Sequence, residues 1–238
     1  MKLTTPNLLI IIPCFNEADS LPILLPQLKQ LQLPGYQVSV AVVNDASRDA
    51  TVAVARKEAV TVLDLPVNLG IGGAMQTGFR YAHAHHFDLA LQLDGDGQHP
   101  PAEIAKLLHC YEQSNSNVVI GSRFIRKEGF QSSQARRVGI KYFHWLNRLF
   151  TGNSVYDSTS GFRLLDKKAI ARAAAFYPDE YPEPESLVFF AKAGLKIAET
   201  PVVMKYRETG QSSIRSFTSI YYMVKVTISM FFSFIRSY

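Results

Sequence analysis

Asp94 and Asp96 stand two residues apart at the end of an apolar run, L-A-L-Q-L-D-G-D-G-Q-H-P over 89–100. A buried strand that delivers two carboxylates into a glycine-rich loop presents hard oxygen ligands. These suit Mg2+ or Mn2+, and such an ion usually binds through one or two carboxylates plus the phosphates of a substrate. Gly95 and Gly97 let the backbone turn sharply and approach a ligand closely, and Gln98 adds a neutral oxygen on the same side. Two aspartates in a turn also fit a solvated loop, so the metal reading depends on what surrounds them. Asp45, in N-D-A-S-R-D (44–49), ends a second apolar run in the same way. The segment N-L-G-I-G-G-A (68–74) opens a helix, where backbone N–H groups can receive a phosphate or a base edge. Its glycine spacing is not that of the dinucleotide fingerprint. His83, His85 and His86 crowd a helix end and suit its terminal carbonyls better than a metal. His99 is set apart by adjoining Gln98.

To hold these loops together the chain needs strands that end on one edge. Apolar β-branched runs predict strands at Leu8–Ile12, Val38–Val43, Val60–Leu65, Phe87–Leu93, Asn117–Ile120 and Ile197–Val203, with Asp157–Leu165 returning to the sheet and Pro13 ending the first strand. Helical spacing predicts helices over Ser20–Leu31, Thr51–Glu58, from the glycine-rich loop to about His86, Glu103–Tyr111, Arg136–Phe150, Lys167–Ala175 and Glu185–Ala193. This alternation describes an α/β fold with a mostly parallel sheet between helices. Ligands in such folds lie across the carboxyl ends of the strands. Arg126–Ser133 carries turn and charge signals and reads as a mobile loop.

The 238 residues are 47% hydrophobic and 19% charged, a globular composition with a net charge of +5. That mild excess fits phosphate-bearing ligands or an anionic membrane surface, and no basic run with interleaved aromatics speaks for nucleic acid. Cys14 and Cys110 are far apart without metal-ligand spacing and read as reduced thiols. The apolar stretch before Pro13 is too short for a signal peptide, so the body (1–216) is expected in the cytoplasm. Phe217–Tyr238 forms an apolar, aromatic tail, short for a membrane span and interrupted by Lys225. Two readings stay open for it: a helix in the membrane interface, or one docked on the body or on a partner chain.

Taken in order, P-C-F-N-E (13–17), N-D-A-S-R-D-A-T (44–51), N-L-G-I-G-G-A (68–74), D-G-D-G-Q-H (94–99), G-S-R-F (121–124), S-G-F-R (160–163), P-E-P-E (182–185) and R-E-T-G-Q-S-S (207–213) resemble family 2 glycosyltransferases of GT-A (Rossmann-like) fold. Within that family they look like the polyprenyl-phosphate (dolichyl- or undecaprenyl-phosphate) glycosyl synthases, over about Leu8 to Ser213. The resemblance implies that Pro13, Asn16, Glu17 and Asp45 hold the nucleoside of a UDP- or GDP-linked sugar, with Gly72 and Gly95 giving backbone access. It implies that Asp94 and Asp96, helped by Gln98, ligate Mg2+ or Mn2+ on the diphosphate, and that Arg207 and Ser213 lie on a loop closing over it. Ser213 stands where the family usually has Lys, and Ile71 where the glycine-rich loop often has one.

Transfer from a nucleotide sugar leaves negative charge on the departing diphosphate, which a divalent ion and Arg207 would share. Attack from the opposite face inverts the anomeric centre. A phosphate monoester acceptor, with a second pKa near 6, needs cations rather than a base, and Arg123, Arg136 and Arg137 are the candidates. A hydroxyl acceptor, in a glycan or protein, needs a base, and Glu183 occupies the position for one; otherwise Glu183 and Glu185 orient sugar hydroxyls or the arginines. A non-catalytic nucleotide-sugar-binding subunit is a third reading. The expected setting is the inner face of the cell membrane as a peripheral protein, with a small integral membrane protein as a further partner.

Overall fold

The computed structural model describes residues 5–126, 134–205 and 218–236. Its sheet contains β1 (Asn7–Cys14), β2 (Gln37–Asn44), β3 (Thr61–Asp64), β4 (Leu89–Gln92), β5 (Val118–Ser122), β6 (Arg163–Asp166) and β7 (Ile197–Pro201), in the order β3-β2-β1-β4-β6-β5-β7. The pairs β1–β2, β2–β3, β1–β4 and β5–β7 are parallel, whereas β6 runs antiparallel to both β4 and β5. The helices are α1 (Leu21–Gln30), α2 (Thr51–Lys57), α3 (Gly70–Ala84), α4 (Ile104–Ser114), α5 (Gln134–Thr151), α6 (Lys167–Ala175), α7 (Pro182–Lys192) and α8 (Thr218–Ile235).

The uninterrupted apolar run of β1 is explained by cover on both faces. Leu8, Ile10 and Ile12 pack with Leu21, Leu25 and Leu28 of α1 and with Ile104 and Leu107 of α4. Leu9 and Ile11 pack on the other side with Met75 and Phe79 of α3 and Ile170 of α6. Contrary to expectation, Pro13 does not stop the strand, which continues to Cys14 in register with β2. The Ile11 carbonyl accepts from Leu93 on the β4 side, and the Cys14 carbonyl accepts from Asp45 on the β2 side. Pro13 therefore faces the β4 side, where β4 has already ended at Gln92, and its missing N–H removes no bond from the ladder.

Other boundaries shift for local reasons. Of the stretch Asp157–Leu165 predicted to rejoin the sheet only Arg163–Leu165 is strand, as part of β6; residues 157–162 form a turn and irregular backbone. Helix α7 begins at Pro182 instead of Glu185, because proline is well suited to a first helical turn, so Glu183 and Glu185 both sit there.

Helix α8 is seated on the body. Val226 and Met230 are buried against Val188 of α7 and Phe143 and Leu146 of α5. Ser233 donates to Glu185 at 3.0 Å, the Tyr142 and Thr227 hydroxyls meet at 2.8 Å, and Phe150 stacks on Phe234. Its opposite face is also apolar but exposed: Tyr221, Val224, Ile228, Phe231, Phe232 and Ile235 recur at helical spacing. Among the described residues no helix is long and apolar enough to cross a membrane.

Candidate active site

The carboxyl ends of β1, β2 and β4 lie side by side, and three loops leave them. The β1–α1 loop is laced to the β2–α2 loop: Asn16 N–H donates to Ser47 Oγ (2.9 Å), Arg48 N–H to Asn16 Oδ1 (2.8 Å) and Glu17 N–H to Thr51 Oγ1 (2.9 Å). Asp49 accepts from Ala18 N–H and from Thr51 Oγ1 and N–H, and these bonds hold its carboxyl below the ordinary range against the opposing effect of burial. Asn16 takes a positive φ of 58° to make the turn, a conformation asparagine tolerates. The Glu17 carboxylate accepts from Ser20 Oγ at the start of α1.

Asp45 is buried and receives the backbone N–H groups of Leu69 (2.6 Å) and Gly70 (2.9 Å). It thus anchors the start of α3, where a carboxylate satisfies orphan donors and favours the helix dipole. The same carboxylate can reach a ligand only through its remaining lone pairs. Gly72 is buried too, and a Cβ there would strike Pro178 O at 2.1 Å, so its bare face seats α3 on the segment leading to α7.

Asp94 and Asp96 follow β4. Asp45 lies two strands away across β1, about 10 Å by sheet spacing, a span that suits a nucleoside diphosphate. Gly95 packs on the end of β1, where a Cβ would come within 3.1 Å of Cys14 Sγ. Burial, together with the neighbouring Glu17, Asp49 and Asp94 charges, pushes that thiol far up, which makes it inert. Asp96 Oδ1 accepts from Gln98 N–H (3.0 Å), and Gln98 O accepts from Lys205 N–H (2.9 Å), so the aspartate loop is pinned to the strand leaving β7. His99 is buried and stacked on Phe162 at 4.8 Å, and burial holds its pKa at about 3. A cleft bounded by Ser20 and by Leu24 and Gln27 of α1 opens onto Asp96 and Gly97.

Asp94 is the electrostatic centre. Desolvation, then the Asp96 and Glu183 charges, raise its carboxyl to about 7, with Arg123 pulling the other way. An all-oxygen set whose carboxylates repel one another fits a hard divalent cation. Among the described residues no three His, Cys, Asp or Glu side chains converge as a metal shell, so substrate oxygens would complete it.

Two arginines, Arg123 largely and Arg163 fully buried, frame the site. Arg123 donates from Nε and Nη2 to the two oxygens of Asp157, both at 2.6 Å, and from Nη2 to Thr159 Oγ1 at 3.0 Å. Arg163, fully buried, donates to Ser160 O, Ser158 O and Ser186 Oγ. Burial raises the Glu183 carboxyl, and Arg163 is the largest opposing influence.

The structure thus gathers Pro13, Asn16, Glu17, Asp45, Gly95, Asp94, Asp96, Gln98, Arg123 and Glu183 at one end of the sheet. Arg136 and Arg137 fall in the first turn of α5, their side chains outside the described ones. Arg207 and Ser213, and residues 127–133 of the expected mobile loop, lie outside the described residues. Glu185 does not join Glu183; it turns to Ser233 of α8. Sequence reasoning missed Asp157, Gly161 and Arg163. The last two belong to S-G-F-R, where an arginine opening the apolar strand R-L-L was the available signal.

The sequence model of Glycosyl transferase family 2 matches residues 9–173. An undecaprenyl-phosphate mannosyltransferase of Micrococcus luteus is 31% identical over 217 residues, covering 87% of this chain and 87% of that protein. A polyprenol monophosphomannose synthase of Mycolicibacterium smegmatis is 27% identical, covering 88% and 82%. Among solved structures, glucosyl-3-phosphoglycerate synthase of Mycobacterium tuberculosis with Mn2+ and UDP superposes with a TM-score of 0.70 at 17% identity, over 96% of this chain and 80% of that one.

Proposed function

This chain belongs to glycosyl transferase family 2 and is a glycosyltransferase, and from that premise we propose that it moves a sugar from a nucleotide-sugar donor to a polyprenyl phosphate, with inversion, at the inner face of the cell membrane. The observation that carries the reading is the crowding of Asp94, Asp96 and Glu183 at the end of β4 with Arg123 beside them. Asp94 and Asp96, assisted by Gln98, would hold Mg2+ or Mn2+, and the bound ion supplies Lewis-acid stabilisation of the leaving diphosphate. A related fold is known with Mn2+ and UDP bound, and relatives are named for polyprenyl-phosphate acceptors, which supports both halves of the proposal.

In this reading the laced loops of Pro13, Asn16 and Glu17, with Asp45, form the nucleoside seat, while Gly72 and Gly95 serve it by packing, Gly72 seating α3 on residues 178–179 and Gly95 seating the aspartate loop on the end of β1. Arg207 adds a charge-assisted contact to the diphosphate, beside Ser213. The bond between Lys205 and Gln98 brings the chain that leads to Arg207 alongside the aspartates, which favours that role. Arg123, Arg136 and Arg137 place the acceptor phosphate, already ionised near neutral pH.

Seating at a membrane is supported by charge and shape. Helix α5 holds Arg136, Arg137, Lys141 and Arg148, and α8 holds Lys225, with no Asp or Glu in either; these five cations equal the whole net charge of +5. Beside them lie the exposed Trp145 and Leu149 of α5 and the outer face of α8, the composition of an interfacial surface.

The test is transfer of labelled sugar from UDP- and GDP-sugars to a short-chain polyprenyl phosphate with Mn2+, abolished by Asp96→Ala. Unchanged transfer by the variant would sink the reading. A hydroxyl acceptor is the second reading, favoured by the raised carboxyl of Glu183 inside the site.

A further inference from the structure

We propose that Asp157, held from behind by Glu199, is a positioning residue that sets Arg123 for the acceptor phosphate; this rests on the phosphate-acceptor reading above. Asp157 is fully buried and receives three donors from one residue: Arg123 Nε (2.6 Å), Nη2 (2.6 Å) and the Arg123 backbone N–H (3.1 Å). A bidentate fork of this kind fixes the plane of a guanidinium as well as its position. Glu199 in β7 accepts from the backbone N–H groups of Tyr156 (2.7 Å) and Asp157 (2.8 Å), so the carboxylate is not free to follow the arginine.

Nε and Nη2 donate to Asp157 and Thr159, while Nη1 lies 3.9 Å from the sulfur of Met204. Thioether sulfur is a weak acceptor, and an anionic phosphate oxygen outcompetes it for that N–H. Arg123 is close enough to offset the charges of Asp94 and Glu183, so without a fixed partner its guanidinium would be drawn onto those carboxylates. The segment that carries Asp157 is also tied to α5: His144 Nδ1 meets Val155 O at 2.7 Å, and the His144 ring stacks on Tyr156 at 4.8 Å. Arg123 is thereby registered against the helix that carries Arg136 and Arg137.

A buried ion pair is costly to desolvate and is weak grounds for stability alone; a positioning role makes a sharper demand on kinetics. With a short-chain polyprenyl phosphate, Asp157→Asn should raise the acceptor KM about tenfold or more, as expected for a lost charge-assisted pair, while kcat and the donor KM change little. Arg123→Gln should do the same, and the double variant should be no worse than Arg123→Gln, because Asp157 acts through Arg123. Should Asp157→Asn fail to fold by near-UV circular dichroism, Asp157→Glu keeps the charge, displaces it by one methylene and carries the same expectation. An unchanged acceptor KM, an equal rise in donor KM, or full additivity in the double variant would overturn the proposal. Failure of the wild-type protein to glycosylate any polyprenyl phosphate overturns the acceptor reading itself, and this proposal with it.

Discussion

Gly161 lies flat against Asp94: a Cβ on Gly161 would stand 2.9 Å from Asp94 Oδ1, 3.1 Å from Oδ2 and 3.0 Å from Gln92 Nε2. Contacts this short force the carboxylate to move, and Asp94 is the residue on which the metal reading depends most. Gly161→Ala should therefore weaken Mn2+-dependent donor binding by roughly 10- to 100-fold, the usual cost of disturbing a ligand's support. The backbone there is not among the positive-φ glycines, so the fold should tolerate alanine. Calorimetry with Mn2+ and a nucleotide sugar, beside a thermal melt, separates the two effects. Unaltered Mn2+ binding would show that the close approach has no bearing on the ion.

The charge on Asp94 makes a second, pH-dependent prediction. Its carboxyl is raised from 3.8 to about 7, so folding without metal opposes ionisation. The sign follows: this penalty is absent below about pH 4, grows as pH rises, and is complete above about pH 7. With chelator present, the wild-type melting temperature should fall between pH 5.5 and 8 relative to Asp94→Asn. Mn2+ should reverse the fall, and its affinity should drop as pH falls below 7 because the proton competes for the ligand. Parallel melting curves for wild type and Asp94→Asn across that range would contradict the shift.

These two residues also mark how far the sequence could be read. Asp94 was legible because a continuous apolar run, a strand covered on both faces, ends on it; the same pattern exposed Asp45 and the parallel part of the sheet. Gly161 was not, because its meaning comes from β6 entering antiparallel between β4 and β5. Arg163 of β6 pairs with Gln92 of β4, 71 positions away in sequence, and local periodicity holds no record of that register. Asp157 read only as the start of a segment returning to the sheet for the same reason: its partner, Arg123, arrives from another strand end. Glu183 and Glu185 read alike, yet one turns to the site and the other to Ser233, because successive helical positions face different directions.

Arg163 gives the largest expected loss of stability. It is fully buried, donates to three acceptors and is the main influence lowering the Glu183 carboxyl. Replacing it with methionine leaves those acceptors and Glu183 unbalanced, and breaking a buried charged network in this way costs about 3–5 kcal/mol. Urea unfolding should show a lower midpoint with an unchanged slope. A shift below about 1 kcal/mol would mean that water serves the three acceptors as well as the guanidinium does.

The outer face of α8 can be tested without unseating the helix. Deleting α8 would uncover Val188, Phe143 and Leu146, whose cover is Val226 and Met230, so solubility after deletion would be ambiguous. Ile228→Asp with Phe232→Asp changes only exposed positions, 49% and 58% accessible. Cosedimentation with vesicles rich in anionic lipid should fall about tenfold or more, since each apolar side chain is worth about 1.5–3 kcal/mol when buried. Turnover on a short, water-soluble acceptor should persist. Undiminished cosedimentation would place the membrane contact elsewhere on the molecule.

Glu183 separates the two acceptor chemistries. Its carboxyl is raised by burial and faces the Asp94 charge, which would suit a base for a sugar or protein hydroxyl. A phosphate monoester is already ionised and gains nothing from one. Glu183→Gln preserves shape and hydrogen-bonding capacity while removing proton uptake, so with a polyprenyl phosphate kcat should fall less than about tenfold, whereas loss of a general base typically costs 100-fold or more. The pH profile distinguishes the cases independently. If Glu183 is the base, an acidic limb should vanish in the variant; if phosphate attacks, a limb near pH 6 reflecting the acceptor's own second ionisation should remain. A collapse of kcat together with loss of that limb would move the assignment from lipid phosphate to hydroxyl.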